Sequence, residues 1–557
     1  MRLGKSILTT LASVGLLATS VAAAAFNPLD SVTPDFQNDV INALDVTDAS
    51  IRSLDLMQDG EGNVSFVIPI EGFDVTVQLW PHSVRADGYR VLKQIEDGSF
   101  VPVEPAPEST FRGVLSEIPG ATVAASILDE QLYAMVLLPD NSRFWVEPLA
   151  SRFPGIDPSL HAVYSQEDVI PSLGICAVVD DFIEQSQAER EQKLAELGRG
   201  SGDCGGLCVA EFGADADVEF YQALGSNEAN VENLINNIMN AVNTQYETQV
   251  GITHEITGIL IRTAEPDPYS STNAGTLLSQ FRSEWLNNVG GSIPHDTAQL
   301  FTGKNLQGST IGIAYLGGVC NSLRYSVVET TCCGSFSCRT DLSAHELGHN
   351  WDASHISGGN STMNPSLVCA NNFVSGSVNQ IVGYRNSVTC LDPAPPLNPP
   401  GLFNLTAPAN GATDVALNPV LQWSPSQDVQ FYLVSLADNP EFNDPRINEF
   451  ATASTQIASL PPGFLDESTQ YFWKVTAVNS VGETSSSPSI SLFTTLGPDP
   501  EPCDGDATGD NIVDLADLNL VLANFGEATS EGDVTGDNLV DLADLNLVLA
   551  NFGTTCE

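Results

Sequence analysis

The sequence predicts a multidomain chain in four parts: a β-rich N-terminal region, an α/β unit, an all-β sandwich and a small α-helical module. Three observations carry that expectation. The 557 residues exceed what one hydrophobic core sustains, so three or more domains are expected. The apolar pattern changes from short alternating runs to helix-length stripes near residue 200, and back to alternating runs near residue 400. Finally, GDATGDNIVDLADLNLVLANFG at 505–526 returns as GDVTGDNLVDLADLNLVLANFG at 532–553, one supersecondary unit used twice.

In the N-terminal region, residues 64–70, 75–80, 122–128 and 133–138 have strand composition. Residues 180–199 form a charged helical stretch with few apolar anchors, an exposed connector open to proteolysis. From about 200 to 392 the pattern is α/β. Val231, Leu234, Ile235, Ile238, Val242 and Tyr246 mark one apolar helical face; 250–262 follows as a strand, 276–286 as a helix, 311–315 as a buried strand and 342–350 as a helix. Two proline-rich breaks, LDPAPPLNPPG at 391–401 and GPDPEP at 497–502, are stiff spacers rather than core. Between them run short alternating strands, with Trp423 and Trp473 expected in a sandwich core.

Aspartate and glutamate number 70 against 20 lysines and arginines, a formal net charge of −50. A nucleic-acid binder needs a basic footprint, as does a polybasic membrane-surface protein, so the sum excludes both. Such a surface attracts divalent cations instead. Residues 1–25 read as a secretory signal peptide: Arg2 and Lys5 open it, 7–17 supply an apolar stretch, and 21–25 offer small residues for cleavage. The apolar part is too short to cross a bilayer. The mature protein is therefore expected to be secreted, without a membrane span. Eleven cysteines suit that oxidising setting. The count is odd, and Cys176 stands apart from the others. Cys503 and Cys556 flank the terminal repeat and could clip it, Cys204 and Cys208 could pair locally, and vicinal Cys332 and Cys333 are not expected to bond to each other.

Residues 345–355 read HELGHNWDASH and hold three of the chain's seven histidines. His345 and His349 are four apart, so a helix places both imidazoles on one face, half of a tetrahedral zinc site. Gly348 weakens the helix, and an exit near Asp352 lets His355 swing back as a third nitrogen ligand. A fourth place stays open for water, as in a catalytic rather than a structural site. Glu346 would take a proton from that water and pass it to the leaving amine. A glutamate-ligand zinc class is excluded, because no glutamate occurs between Glu346 and Glu441. Asp352 is poorly placed to replace His355. His82, His161, His254 and His295 are given no role; His254 is placed in a strand, and His295 at the start of a helix.

HELGHN with a third histidine, followed by Ser361-Thr362-Met363-Asn364-Pro365, resembles the metzincin zinc helix and Met-turn. Asn350, PHDTAQLFTG at 294–303 and GSTIGIAYLGGVC at 308–320 resemble the reprolysin (adamalysin, ADAM-like) branch. The resemblance implies an α/β metzincin catalytic domain over 200–392, a hydrophobic base at Met363 beneath the metal, and an edge strand within 308–320 that pairs with an extended substrate. Two residues depart from the family: Asp352 replaces a glycine, though aspartate tolerates the left-handed region, and Ile356 replaces an aspartate. Cys176, in PSLGICAVVDD, resembles the cysteine switch of reprolysin zymogens, with Ala177 where glycine is often found. A thiolate filling the fourth zinc position would keep a propeptide at 26–199 inhibitory until cleavage near Arg190 or Arg199.

Each terminal repeat spaces acids at loop positions 1, 5, 9 and 12: Asp506, Asp510, Asp514 and Asp517, then Asp533, Asp537, Asp541 and Asp544. Thr508 and Thr535 hold position 3, and the backbone carbonyls of Ile512 and Leu539 position 7. These are hard oxygens at EF-hand-like spacing, suited to Ca²⁺. Asn511 and Asn538 replace the usual glycine at position 6. The paired loop–helix units at 503–557 resemble a type I dockerin, which implies a cohesin-like partner. Residues 402–496, ending in FTT at 493–495, resemble a fibronectin type III sandwich, with linkers at 393–401 and 497–502.

The chain is accordingly expected to be a secreted zinc metalloendopeptidase made as a latent zymogen, acting on polypeptide substrates. The competing expectation is a calcium-dependent adhesion or scaffold protein with an inactive protease domain. Intact His345, Glu346, His349 and His355 favour the enzyme.

Overall fold

In the computed structural model, the described residues are 29 and 32–555, apart from 61, 173, 177–203, 205, 396–397, 459 and 498–502. The signal peptide expected at 1–25, the connector at 180–199 and Cys556 lie outside them. No helix among the described residues is long and apolar enough to cross a membrane.

The N-terminal region opens on a helix the sequence reading did not include, Pro34–Leu44, capped by Thr33 and buried through Val40 and Leu44. A nine-stranded antiparallel sheet follows, with Ser50–Ser53 at one edge and Met57–Gln58 at the other. The expected strands appear as Val64–Ile70, Phe73–Pro81, Ile118–Leu128 and Gln131–Leu137. In Val64–Ile70 alternate side chains (Val64, Phe66, Ile68, Ile70) are buried in the N-terminal core.

The α/β unit is built on Cys208–Ala216, which pairs in parallel with Ile252–Arg262 on one side and Thr297–Phe301 on the other. Tyr325–Val328 extends the sheet in parallel, and Thr310–Ala314 lies antiparallel beyond it. The helix Glu228–Val250 buries Val231, Ile235, Ile238, Val242 and Tyr246 and ends on Gly251 in the left-handed conformation. The helix Phe336–Asn350 crosses the core with fourteen of its residues buried. His295 precedes the strand Thr297–Phe301 instead of opening a helix: the apolar residues of DTAQLF alternate against a buried sheet rather than lining one helical face.

Two departures from the expected boundaries concern the sheet edges. Arg85–Gln94, from the region read as propeptide, joins the α/β sheet in parallel beside Ile252–Arg262, and Phe100–Val103 pairs outside it. An uncovered Ile252–Arg262 would present unpaired backbone groups, and this hairpin satisfies them. Asp392–Pro393, within the proline-rich break at 391–401 and across the expected boundary at 392, pairs with Cys208 and Val209, so the spacer begins only after the sheet ends. Four disulfides join pairs of described cysteines: Cys204–Cys208, Cys320–Cys390, Cys332–Cys333 and Cys338–Cys369. The vicinal pair corrects the expectation that these neighbours would not bond. Cys503 is also disulfide-bonded, and Cys176 is the free cysteine among the described residues, buried.

Residues 402–496 form two facing sheets. One holds Leu405–Ala407, Leu421–Trp423 and Gln456–Ile457; the other holds Ala412–Val415, Ser491–Thr495, Gln470–Asn479, Phe431–Ala437 and Ile447–Thr452. Trp423 and Trp473 lie in the core between them. The terminal repeats give the helices Leu515–Ala523 and Leu542–Asn551 around a core of Val513, Val521, Val540 and Val548.

Two buried histidines set an acid limit on the fold. His254 places Nδ1 at 3.0 Å from Asn243 Oδ1, while its Nε2 accepts from Trp351 Nε1 at 3.0 Å. His161 accepts from Leu132 N at 3.0 Å through Nε2. Each ring therefore spends a lone pair on a donor, and burial lowers His254 to about 3 and His161 to about 4. With folded pKa values below the ordinary 6.5, the unfolded chain binds more protons between pH 6.5 and 4. Stability is thus full above that window and falls as pH drops through it, by about 1.4 kcal/mol per pH unit for each ring. A ring-proton NMR titration of the folded chain should find His254 and His161 still neutral at pH 5. Rings that are charged at pH 5 would show that they are solvated.

Candidate metal centre and cleft

The three histidines singled out by spacing come together. Phe336–Asn350 carries His345 and His349 one turn apart, and the chain leaves the helix through Asp352 at φ +73°, the left-handed turn expected of an aspartate there. That turn brings His355 back over the helix. His345 Nε2 lies 3.0 Å from His349 Nε2 and 3.1 Å from His355 Nε2, and the last two are 3.1 Å apart. The opposite nitrogens are occupied: His345 Nδ1 donates to Thr362 O at 2.5 Å and His349 Nδ1 to Ala353 O at 2.7 Å. That fixes the tautomers and leaves the Nε2 lone pairs of His345 and His349 facing inward. Burial and the adjacent rings hold His345 well below its ordinary pKa, and burial lowers His349 to about 3. Neutral imidazoles with converging lone pairs repel one another unless a cation lies between them, so this donor set fits zinc.

Glu346 is buried beside them, and its carboxylate has the Cys176 thiol as a hydrogen-bond partner. Burial pushes its carboxyl up to about 8. The carboxylate lies so close to Gly312, on the strand Thr310–Ala314, that any Cβ at 312 would collide with it. Met363 is fully buried, and its sulfur occupies the place a Cβ on Gly348 would need. Asn350 ties the end of the helix to the sheet, donating to Tyr315 O at 2.9 Å and Tyr325 O at 3.2 Å.

Cys176 reaches the same place from the N-terminal region. Its sulfur, a nitrogen of His345 and an oxygen of Glu346 all lie within 4.8 Å of one another. The short strand Ile175–Cys176 runs parallel to Thr310–Ala314 and covers the free edge of the sheet. Ile175 N donates to Ser309 O at 2.7 Å, Cys176 N to Pro365 O at 3.1 Å, and Leu367 N to Gly174 O at 3.0 Å. The segment therefore bridges both walls of the cleft.

These features meet a match in sequence. Residues 209–382 match the model of Metallo-peptidase family M12 of the reprolysin type. This stretch is a reprolysin-type M12 metalloprotease domain. The zinc metalloproteinase-disintegrin-like atrase-A of Naja atra is 27% identical over 220 residues, 38% of this chain and 34% of the relative. The disintegrin and metalloproteinase domain-containing protein 33 of Homo sapiens is 24% identical over 300 residues, 51% and 35% of the two chains. The hemorrhagic metalloproteinase-disintegrin-like kaouthiagin of Naja kaouthia is 32% identical over 152 residues, 26% and 36%. The chain spans about a third of the length of these curated relatives. In the reprolysin-type domain, sequence reasoning missed the supporting residues Gly312, Tyr246 (whose hydroxyl donates to Ala344 O at 2.8 Å) and Asp341. Of these, Tyr246 is legible only as part of the apolar helical face, Asp341 only as an acid one turn before His345, and Gly312 not at all.

The terminal acids are arranged loop by loop. Oxygens of Asp506, Asp510 and Asp517 lie within 4.8 Å of one another. Thr508 Oγ1 lies 3.0 Å from Asp517 Oδ1, and Asp514 caps its helix by accepting from Ala516 N through Oδ1. The second loop repeats these bonds: Thr535 Oγ1 donates to Asp544 at 2.9 Å, Asp533 accepts from Gly536 N, Leu539 N donates to Asp537, and Asp541 caps at Ala543 N. Asn511 and Asn538 take φ +64° and +67°, the conformation glycine usually supplies at position 6. Ile512 and Leu539 stand at position 7 with exposed side chains.

Proposed function

We propose that the chain is a secreted zinc metalloendopeptidase made as a latent zymogen. The observation that carries this reading is the convergence of three Nε2 atoms next to the buried carboxylate of Glu346. His345, His349 and His355 would hold the metal, with Met363 packed beneath. Bound zinc supplies Lewis acidity toward the scissile carbonyl and toward water. Glu346 takes the proton of the attacking water and returns it to the leaving amine. Thr310–Ala314, the sheet edge along the cleft, lends its backbone groups to an extended polypeptide. In the precursor, Ile175–Cys176 lies on that edge and its thiol blocks the fourth ligand position.

The accompanying modules follow the same reading: a propeptide at 26–199, the catalytic domain at 200–392, a fibronectin type III-like spacer at 402–496 and dockerin-like repeats at 503–557. Asp506, Thr508, Asp510, Asp514 and Asp517 with the Ile512 carbonyl, and Asp533, Thr535, Asp537, Asp541 and Asp544 with the Leu539 carbonyl, would bind Ca²⁺. Leu515, Leu522 and Phe525 and their repeat mates Leu542, Leu549 and Phe552 are exposed, an apolar surface that suits a cohesin-like partner. The test is direct. Processed protein should contain one zinc ion at the histidine site and hydrolyse casein, and a zinc-selective chelator should stop it. Zinc-loaded, processed protein without hydrolysis would favour a calcium-dependent scaffold instead.

A further inference from the structure

The Met-turn segment reaches the helix through a carboxylate as well as through a disulfide. Asp341 lies on Phe336–Asn350 four residues before His345, three after Cys338, and is fully buried. Its Oδ1 accepts from Thr362 Oγ1 at 2.7 Å and from Asn371 N at 2.9 Å, and its Oδ2 accepts from Ala370 N at 2.7 Å. All three donors belong to the loop that follows His355. Cys338–Cys369 pins the same loop to the same helix one turn earlier.

Thr362 is the pivot. Its carbonyl receives Nδ1–H of His345, and its hydroxyl oxygen accepts from Gln245 Nε2 at 3.0 Å and Asn372 N at 2.9 Å while donating to Asp341. The hydroxyl hydrogen has one partner, and that partner sets the height of the Thr362 carbonyl along the helix. A chain of bonds thus runs from the carboxylate through one residue to the ring of His345. A carboxylate buried this deeply is costly unless its lone pairs are used. Here three donors use them, and all come from one loop.

We propose that Asp341 is a positioning residue for the metal centre: by holding Thr362 it orients the His345 ring and preforms the three-nitrogen site. The proposal rests on the reading of His345 as a zinc ligand. Removing partners beyond the ligands characteristically weakens metal binding by about 10- to 100-fold.

The test uses the full chain with zinc alone, its affinity read by competition with a chromophoric chelator, and with Co²⁺ alone, its ligand-field spectrum reporting ligand geometry. Asp341→Asn keeps the acceptor for Thr362 and Asn371 but sets an N–H₂ against Ala370 N. Thr362→Val removes the hydroxyl while leaving the carbonyl. Both should weaken zinc binding by about 10- to 100-fold and shift the Co²⁺ bands, with circular dichroism of the metal-free chain unchanged. If Asp341→Asn fails to fold, Thr362→Val alone decides. Wild-type affinity and spectra in a folded variant would overturn the positioning role and leave the metal site standing. A wild-type chain that binds neither ion would overturn both.

Discussion

Replacing Glu346 with glutamine should lower peptide hydrolysis by the processed protein by about 10³-fold, within the 10²–10⁴ that a positioned general base contributes, while zinc content stays at the wild-type level. Glutamine matches glutamate in volume, and the space beside Gly312 that admits the carboxylate admits the amide. The partner of its carboxylate is the Cys176 thiol, which belongs to the strand Ile175–Cys176 and not to the domain core, so the exchange breaks no hydrogen bond that holds the fold. What is lost is the capacity to take a proton. The ligands His345 and His349 keep their tautomers through Thr362 O and Ala353 O, both untouched by the change. Zinc analysis beside a casein assay separates the outcomes. Retained activity in the zinc-loaded variant would assign the base elsewhere, whereas loss of zinc would place Glu346 among the residues that build the site.

The histidine cluster was readable because its geometry is local. Two residues four apart on a helix and a third six further on need only one turn to converge, and Asp352 at +73° supplies it. Trp423 and Trp473 were readable for a similar reason, since short alternating strands leave large apolar side chains only an interior. The supports of the centre were not, because their partners are remote. Asp341 meets Thr362, Ala370 and Asn371, and Gly312 makes room for Glu346 from the strand Thr310–Ala314. The sheet edges escaped for the same reason. Nothing in RADGYRVLKQ announces that it will lie beside Ile252–Arg262 rather than in its own sheet, because pairing is decided by which edge is left open. The strand Ile175–Cys176 is too short for any period, and its seat depends on two walls that lie more than a hundred residues on.

The N-terminal region holds the reprolysin-type domain at the cleft, behind the sheet, and at the start of the helix Phe336–Asn350, where Glu147 accepts from Phe336 N at 2.6 Å and Gln166 from Ser337 Oγ at 3.0 Å, and this predicts different results for two ways of disturbing it. At the cleft, the hold is Ile175–Cys176 with three backbone bonds. Behind the sheet it is wider. Arg85–Gln94 pairs with Ile252–Arg262, Arg85 meets Glu232 at 3.0 Å, Lys93 meets Glu228 at 3.2 Å, and Arg112 meets Glu247 at 3.4 Å. Asn240 donates to Phe111 O and Ala125 O across the same face. The sandwich adds contacts, Ser116 Oγ to Ala451 O at 2.7 Å and Trp80 stacked on Phe431. Cys176→Ala removes the thiol but leaves the backbone strap on the substrate edge. The uncut variant should therefore cleave a short peptide at least about tenfold faster than the uncut wild type, a difference of about 1.4 kcal/mol, yet stay well below the processed enzyme. Cutting between 177 and 203 frees the end of the strap without touching the rear interface. The two fragments should then co-elute on gel filtration at low salt with full activity. Because apolar side chains of both parts, Trp145 and Leu149 with Phe336 and Leu342, share one core, mild urea rather than high salt should separate them. Fragments that part at once in low salt would show that the shared sheet does not outlast the cut, and equal rates for cut and uncut Cys176→Ala would show that the thiol alone, and not the strap, keeps the precursor silent.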